Sequence, residues 1–313
     1  MHLRLTILSG TANSALAAAV AAVLGTTPRQ RDITRFPDGE LGISIHESLR
    51  GDDVYLIQPA SPPVNEHLTE LLLLADACRR DGAARITAVM PYVGYARQDR
   101  RSGRSALGGR LLADLLAAAG VDAVIAVDAH TPAIEGFFAA PLDHLSAVPL
   151  LAEHVRPELP RDSVIVAPDL GAAKIAERYS RILDVPVAFV HKKRITATKV
   201  AVHQVTGDVA GRAPLIVDDM ISTGATIEAA ANAVLQAGAR PAITVAATHA
   251  LLVGQAVEWL RGLGLQRLVV TDSVALPAGL PLPLEVVRLD QLLAEAVARL
   301  HGTPSPGAVP MPV

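Results

Sequence analysis

The sequence predicts an α/β protein of two domains, each a mostly parallel sheet flanked by helices, and three observations carry that expectation. Short runs rich in Val and Ile recur along the chain, each followed by a polar or Gly-containing turn and then an Ala/Leu-rich stretch of helical period. These runs are apolar throughout rather than alternating, as strands buried on both faces of a parallel sheet are. A chain of 313 residues, half hydrophobic and 19% charged, with about nine such runs, holds apolar surface for more than one ordinary core.

The first strand, over 3–8, runs into Ser9-Gly10, and Asn13 and Ser14 then stand where a helix N-cap is wanted. The Ala/Val/Leu stretch at 16–24 reads as the helix that follows and not as a signal peptide, because no charged segment precedes it beyond Arg4. Further strands are expected at 54–57, 85–90 and 124–127, then at 164–167, 187–190, 215–217, 243–246 and 268–270. Helices are expected at 65–81, 107–119, 170–179, 226–237 and 290–300. Pro and His interrupt the pattern between Pro141 and Pro149, which places a boundary near residue 145. The expected domains are therefore 1–145 and 146–301, with a Pro/Gly-rich tail at 302–313 expected to be disordered.

Charge and composition remove several classes of function. Twenty-eight basic against 31 acidic side chains give a formal charge of −3, without the basic field of a generic nucleic-acid binder. No apolar run reaches the roughly 18 residues that a membrane span requires. Cys78, the single cysteine, cannot form an internal disulfide, and no Cys/His spacing suits a zinc finger, so a cytoplasmic protein is expected. One asymmetry stands out: of 28 basic side chains only four are lysines, and Lys174, Lys192, Lys193 and Lys199 share one window of 26 residues. A compact, mobile ammonium is what phosphate chemistry uses where guanidinium does not suffice. Arginine-favouring codon usage explains the same counts.

In open α/β sheets ligands bind at the carboxyl ends of strands, so polar residues directly after strands are read first. The most specific string is Leu215-Ile-Val-Asp-Asp-Met-Ile-Ser-Thr-Gly-Ala-Thr226: a buried strand, two adjacent carboxylates, then a Ser/Thr/Gly turn that opens a helix. Backbone N–H groups of such a turn, with the hydroxyls of Ser222, Thr223 and Thr226, form a cradle for a phosphate dianion. Asp218 and Asp219 are acceptors only and suit the vicinal hydroxyls of a sugar or a hydrated Mg2+. The blander reading is a capped helix beside two solvated acids.

That string resembles the phosphoribosyl-diphosphate motif of the type I phosphoribosyltransferase fold. Arg35-Phe-Pro-Asp-Gly-Glu40, Pro91-Tyr-Val-Gly-Tyr-Ala-Arg-Gln-Asp-Arg-Arg101, Val127-Asp-Ala-His-Thr131, Ala167-Pro-Asp-Leu-Gly171 and Gly207-Asp-Val-Ala-Gly-Arg212 together resemble the ribose-phosphate pyrophosphokinase family, in order, from about residue 3 to 301. The resemblance implies two similar phosphoribosyltransferase-type domains and pyrophosphoryl transfer from MgATP to the anomeric hydroxyl of ribose 5-phosphate, giving phosphoribosyl diphosphate and AMP.

The same resemblance assigns the site residues. It implies catalytic roles for Lys192 and Arg194 on a closing loop that starts at His191-Lys-Lys-Arg194, with Arg194 also on ribose 5-phosphate. ATP is implied at Arg97 and Gln98, with Phe36, Asp38, Gly39 and Glu40 holding adenine from a neighbouring subunit, which implies a homo-oligomer. Ribose 5-phosphate is implied at Asp218, Asp219, Ser222, Thr223, Gly224, Ala225 and Thr226, and Mg2+ at His130 and Asp169. Ser222 stands where many members carry Asp, and Ala225 where they carry a second Gly. No Gly-x-x-x-x-Gly-Lys-[Ser/Thr] occurs, so ATP use does not rest on a P-loop. The alternatives are a non-catalytic regulatory homologue of such a synthase, and a transferase or nucleotide-sensing regulator that uses only the 215–226 motif. Lys192, Arg194, Asp169 and the acid pair argue against the first. The 91–101 segment argues against the second.

Overall fold

The computed structural model describes residues 3–193 and 202–303, which form two compact units. Among the described residues, one unit holds 3–145, 273–275 and 288–303; the other holds 146–193, 202–272 and 276–287.

The first unit carries β1 (Leu5–Ser9), α1 (Ser14–Val23), β2 (Arg31–Arg35), β3 (Leu41–Ile45), β4 (Asp53–Ile57), α2 (Val64–Asp81), β5 (Arg85–Met90), α3 (Gly108–Ala119), β6 (Ala123–Val127) and β7 (Leu142–Leu145). Its sheet is parallel, in the order β1-β4-β5-β6-β7. Every residue of β4 is buried, as the apolar run requires. Asn13 Oδ1 caps α1 by accepting from the Leu16 N–H at 3.2 Å. β2 and β3 form a separate antiparallel hairpin. Their polar alternation, Arg-Asp-Ile-Thr-Arg in β2, differs from the buried runs that marked the expected strands. Cys78 is buried in α2, and burial, with the Asp81 charge, pushes its thiol up to about 12.

The second unit carries α4 (Val148–Val155), β8 (Ser163–Ala167), α5 (Ala173–Leu183), β9 (Val187–Lys193), β10 (Val202–Thr206), β11 (Ala213–Ile221), α6 (Ala225–Gln236), β12 (Thr244–Ala250), α7 (Ala256–Gly262), β13 (Arg267–Thr271) and β14 (Leu284–Val287). The sheet order is β10-β9-β8-β11-β12-β13-β14, parallel except for β10, which runs antiparallel to β9. From β8 the chain winds one way to β9 and β10, and from β11 the other way to β14. The order therefore reverses between β8 and β11, and a crevice opens there at the strand ends. In the first unit the order from β4 to β7 runs in one direction only.

Two expectations are corrected. α8 (Asp290–His301) was placed with the second domain but belongs to the first unit, where it packs on α1. Its last turn supplies the reason. Asp53 is fully buried at the start of β4 and accepts from Arg85 Nε at 2.7 Å, from Tyr55 Oη at 3.1 Å and from His301 Nδ1 at 2.6 Å, while Arg85 also donates to the Leu300 carbonyl at 2.7 Å. A buried carboxylate needs these partners, and α8 provides one of them. The interval from Pro141 to Pro149 spans the change of unit between Leu145 and Ser146 and holds β7 and the start of α4, whose early proline costs no helical hydrogen bond. The strand expected at 187–190 continues to Lys193, so Lys192 lies in β9, with its Cα partnered to His203 of β10, and not in a loop. Arg194 and residues 304–313 of the expected tail lie outside the described residues.

Candidate active site

At the reversal point of the second sheet, β11, expected to end at Val217, continues to Ile221, so the acid pair lies within the strand near its carboxyl end. Asp218 is paired in register with Ala247 of β12, and the next paired residue is Met220 with His249, so Asp219 sits between paired positions. Asp219 is buried and Asp218 partly buried, and the Asp219 N–H donates to Asp218 Oδ1 at 2.9 Å. Burial, the Asp219 charge and the Asp169 charge together push the Asp218 carboxyl well above the usual carboxylate range; the Asp219 N–H opposes this only in part. These are not two solvated surface acids. They concentrate negative charge that a diol, a proton or a cation must relieve.

The chain then turns through Ser222 and Thr223 to Gly224, at φ 82°, which opens α6. This left-handed conformation is why glycine stands there. No side chain caps α6, so its first N–H groups face outward with the exposed Thr226 beside them. Ser222 is half-buried, and Thr223 and Ala225 are exposed.

Asp169 follows β8 across the crevice. Its Oδ1 accepts from Gly171 N at 2.8 Å and Ala172 N at 3.1 Å, which holds the exposed carboxylate at the entry to α5. An open cleft of about 660 Å³ joins Asp169 and Gly171 to His191 at the end of β9 and to Ala225 and Thr226 of α6. That volume suits a sugar phosphate.

The candidates in the first unit sit on loops and on the hairpin. The 91–98 segment after β5 buries Tyr92, Val93 and Ala96 and leaves Arg97 and Gln98 exposed. Tyr95 adopts φ 62°, and the Gln98 N–H donates to its carbonyl at 2.9 Å. Gly108 admits Gln98, since a Cβ there would lie 2.5 Å from Gln98 Oε1. Phe36, half exposed, and the exposed Asp38, Gly39 and Glu40 form the β2–β3 turn, where Asp38 Oδ1 accepts from the Glu40 N–H at 3.1 Å. His130 is exposed after β6, two residues beyond Asp128 at φ 37°.

The structure thus places Asp169, the Asp218–Asp219 pair and the 222–226 turn along one edge of the second sheet, with Asp169, Ala225 and Thr226 lining one cleft. It places Phe36, Asp38, Gly39, Glu40, Arg97, Gln98 and His130 on surfaces of the other unit. One supporting segment went unread in the sequence: 251–256, which lies behind the 222–226 turn and carries no polar motif.

A parallel sheet with an acid pair at its reversal point, running into an uncapped helix start, defines a phosphoribosyltransferase-type domain, and residues 151–257 match the phosphoribosyl transferase domain family. Residues 5–120 match the N-terminal domain of ribose phosphate pyrophosphokinase. The ribose-phosphate pyrophosphokinase of Gloeobacter violaceus is 43% identical over 95% of this chain and 90% of its own length. That of Bacillus caldolyticus is 42% identical over 92% of each. The crystal structure of phosphoribosylpyrophosphate synthetase from Mycobacterium smegmatis superposes with a TM-score of 0.89 at 37% identity, covering 96% of this chain and 99% of that one. The chain belongs to the ribose-phosphate pyrophosphokinase family.

Proposed function

We propose that this chain transfers the β,γ-pyrophosphoryl group of MgATP to the anomeric hydroxyl of ribose 5-phosphate, giving phosphoribosyl diphosphate and AMP. The observation that carries the reading is the acid pair near the end of β11, followed by the Ser222–Gly224 turn into the uncapped start of α6. The 5-phosphate accepts from the first N–H groups of α6 and from the hydroxyls of Ser222, Thr223 and Thr226. Asp218 and Asp219 accept from the ribose hydroxyls, which fixes the ring and the direction of its anomeric oxygen. Lys192 and Arg194 neutralise charge on the transferring group, the main lever in phosphoryl-type transfers. Arg97 and Gln98 bind ATP, and the Phe36–Glu40 turn contacts adenine of a neighbouring copy in a homo-oligomer.

The donor set fits Mg2+. No group of three or more metal-ligating side chains comes together among the described residues, and Mg2+ is commonly held by one or two carboxylates with substrate phosphates supplying the rest. Asp169 is the carboxylate placed to hold it, and the negative charge around Asp218 favours a cation at this edge. His130 is proposed as a further contact on the strength of the family resemblance. Bound Mg2+ would neutralise charge on the polyphosphate. No described helix is long and apolar enough to cross a membrane, and a cytoplasmic location accords with the reading.

Chromatography of the products formed from MgATP and ribose 5-phosphate tests this. AMP and phosphoribosyl diphosphate in equal amounts, lost in Lys192→Ala, are expected. ADP as the product, or nucleotide binding without turnover, overturns the reading.

A further inference from the structure

Behind the phosphate turn lies a second loop that the chemistry does not touch. Past the end of β12 the Leu251 and Leu252 N–H groups both donate to the Ile221 carbonyl, at 2.9 and 3.2 Å, and the Val253 N–H donates to the Ser222 carbonyl at 3.0 Å. Three consecutive backbone donors thus grip the two residues that lead into the cradle. Two further features fix this loop. Leu252 sits at φ 45°, a left-handed conformation that is costly for a side chain of its kind. Ala256, which opens α7, is fully buried against Gly224: a Cβ built on Gly224 would lie 3.5 Å from Ala256 Cα and 3.7 Å from its Cβ. Gly224 is the residue whose own left-handed turn aims the start of α6.

We infer that Leu251–Ala256 is a positioning element for the sugar-phosphate cradle: its three N–H groups set the carbonyls of Ile221 and Ser222, and Ala256 closes the space beside Gly224 to about the width of a methyl group. The ligand served is a dianionic phosphate monoester, and the inference rests on the function proposed above. Anion binding at a helix start depends on N–H groups converging on one point, so a displacement of a few tenths of an ångström at Gly224 weakens phosphate binding while the fold persists. A larger side chain at 256 must push on Gly224 or on α7, since its site is already filled. At 252 the backbone conformation is the requirement, and the side chain serves mainly to pack against the core of the second unit.

The test measures the KM of ribose 5-phosphate, the KM of ATP and kcat on Ala256→Leu, Leu252→Val and Leu252→Gly, with ribose 5-phosphate binding followed by calorimetry on each folded variant. Ala256→Leu is expected to raise the ribose 5-phosphate KM at least ten-fold while the ATP KM changes less than two-fold. For Leu252 the order of the two variants decides. Valine keeps apolar bulk but tolerates the left-handed backbone poorly, and glycine does the reverse. A positioning role predicts the larger rise in ribose 5-phosphate KM with valine. A role in packing alone predicts the larger loss with glycine, spread over both substrates and the melting temperature, and that order overturns the inference, as does an unchanged ribose 5-phosphate KM in Ala256→Leu. If the wild-type protein binds no ribose 5-phosphate, the functional reading fails and takes this inference with it.

Discussion

The two units handle their candidate ligand residues in opposite ways. In the second, the sheet order reverses between β8 and β11, and Asp169, the Asp218–Asp219 pair and the 222–226 turn sit at that reversal, with Asp169 and the carbonyls of Ile221 and Ser222 held by backbone N–H groups. In the first, the order from β4 to β7 does not reverse, and the residues assigned to ATP stand exposed on a loop and a two-stranded hairpin. A reversal leaves two neighbouring strand ends whose connections depart to opposite sides, so a crevice exists before any ligand arrives. Without one, a site must be assembled from surface loops. The candidate sugar-phosphate residues are thus preorganised by the fold of their own unit, whereas the candidate nucleotide residues stand on exposed loops that, by our proposal, a neighbouring copy completes.

The largest effect that would sharpen this contrast lies away from both sites. Asp53→Ala leaves the Arg85 cation without its buried counter-charge and is expected to cost about 3–5 kcal/mol of stability, read by urea unfolding. Loss of that much from the first unit with ribose 5-phosphate affinity intact at low temperature would show the preorganised site to be independent of it. Next, Lys192→Ala is expected to lower kcat by about 10²–10³, the scale of removing one preorganised donor. A change below ten-fold would place the charge neutralisation elsewhere. Arg97→Ala is expected to weaken ATP by about 1.5–3 kcal/mol with ribose 5-phosphate binding unchanged, and isothermal titration of each substrate separates the two. Thr226→Ala, one hydroxyl among several fixed N–H donors, is expected to weaken ribose 5-phosphate by only about 0.5–1.5 kcal/mol. Equal sensitivity at Arg97 and Thr226 would break the comparison.

The smallest expected effect concerns acid stability. Hydrogen bonds from Arg267, outweighing burial, and a further one from His154 hold the Glu285 carboxyl down at about 2. A carboxylate whose pKa is depressed on folding contributes stability that is full above its unfolded value, near 4.5, and is lost as the pH falls towards 2. Glu285→Gln is expected to flatten the urea-unfolding free energy between those limits and to leave its slope unchanged above pH 5. In the first unit, burial opposes ionisation of Asp53, but Arg85 and His301 outweigh it and hold that carboxyl low as well, so Asp53→Asn should reduce the loss of stability as the pH falls below the ordinary carboxylate range.

Much of this was legible from the residues alone. All nine expected strands exist, because a run buried on both faces cannot hide its apolar composition, and the Asp218 to Thr226 string singled itself out by its order of carboxylates, hydroxyls and glycine. The strands of the hairpin, and β7, β10 and β14, were not legible: each is short or half exposed, so its pattern is that of a polar loop. α4 and α7 escaped for a similar reason, being 8 and 7 residues long, too short for a helical period to stand out.

What the sequence by itself determined, then, is the set of strands buried on both faces and the order of carboxylates, hydroxyls and glycine along 218–226, since both are written in adjacent residues. Only the tertiary structure decided that α8 returns to the first unit, that the Asp218 carboxyl is pushed up by burial and by neighbouring charge, and that 251–256 braces the cradle. The physical reason is common to all three. Each depends on groups brought together across a sheet or from a distant part of the chain, such as His301 on Asp53 or Val253 on Ser222, and such contacts leave no trace in local periodicity.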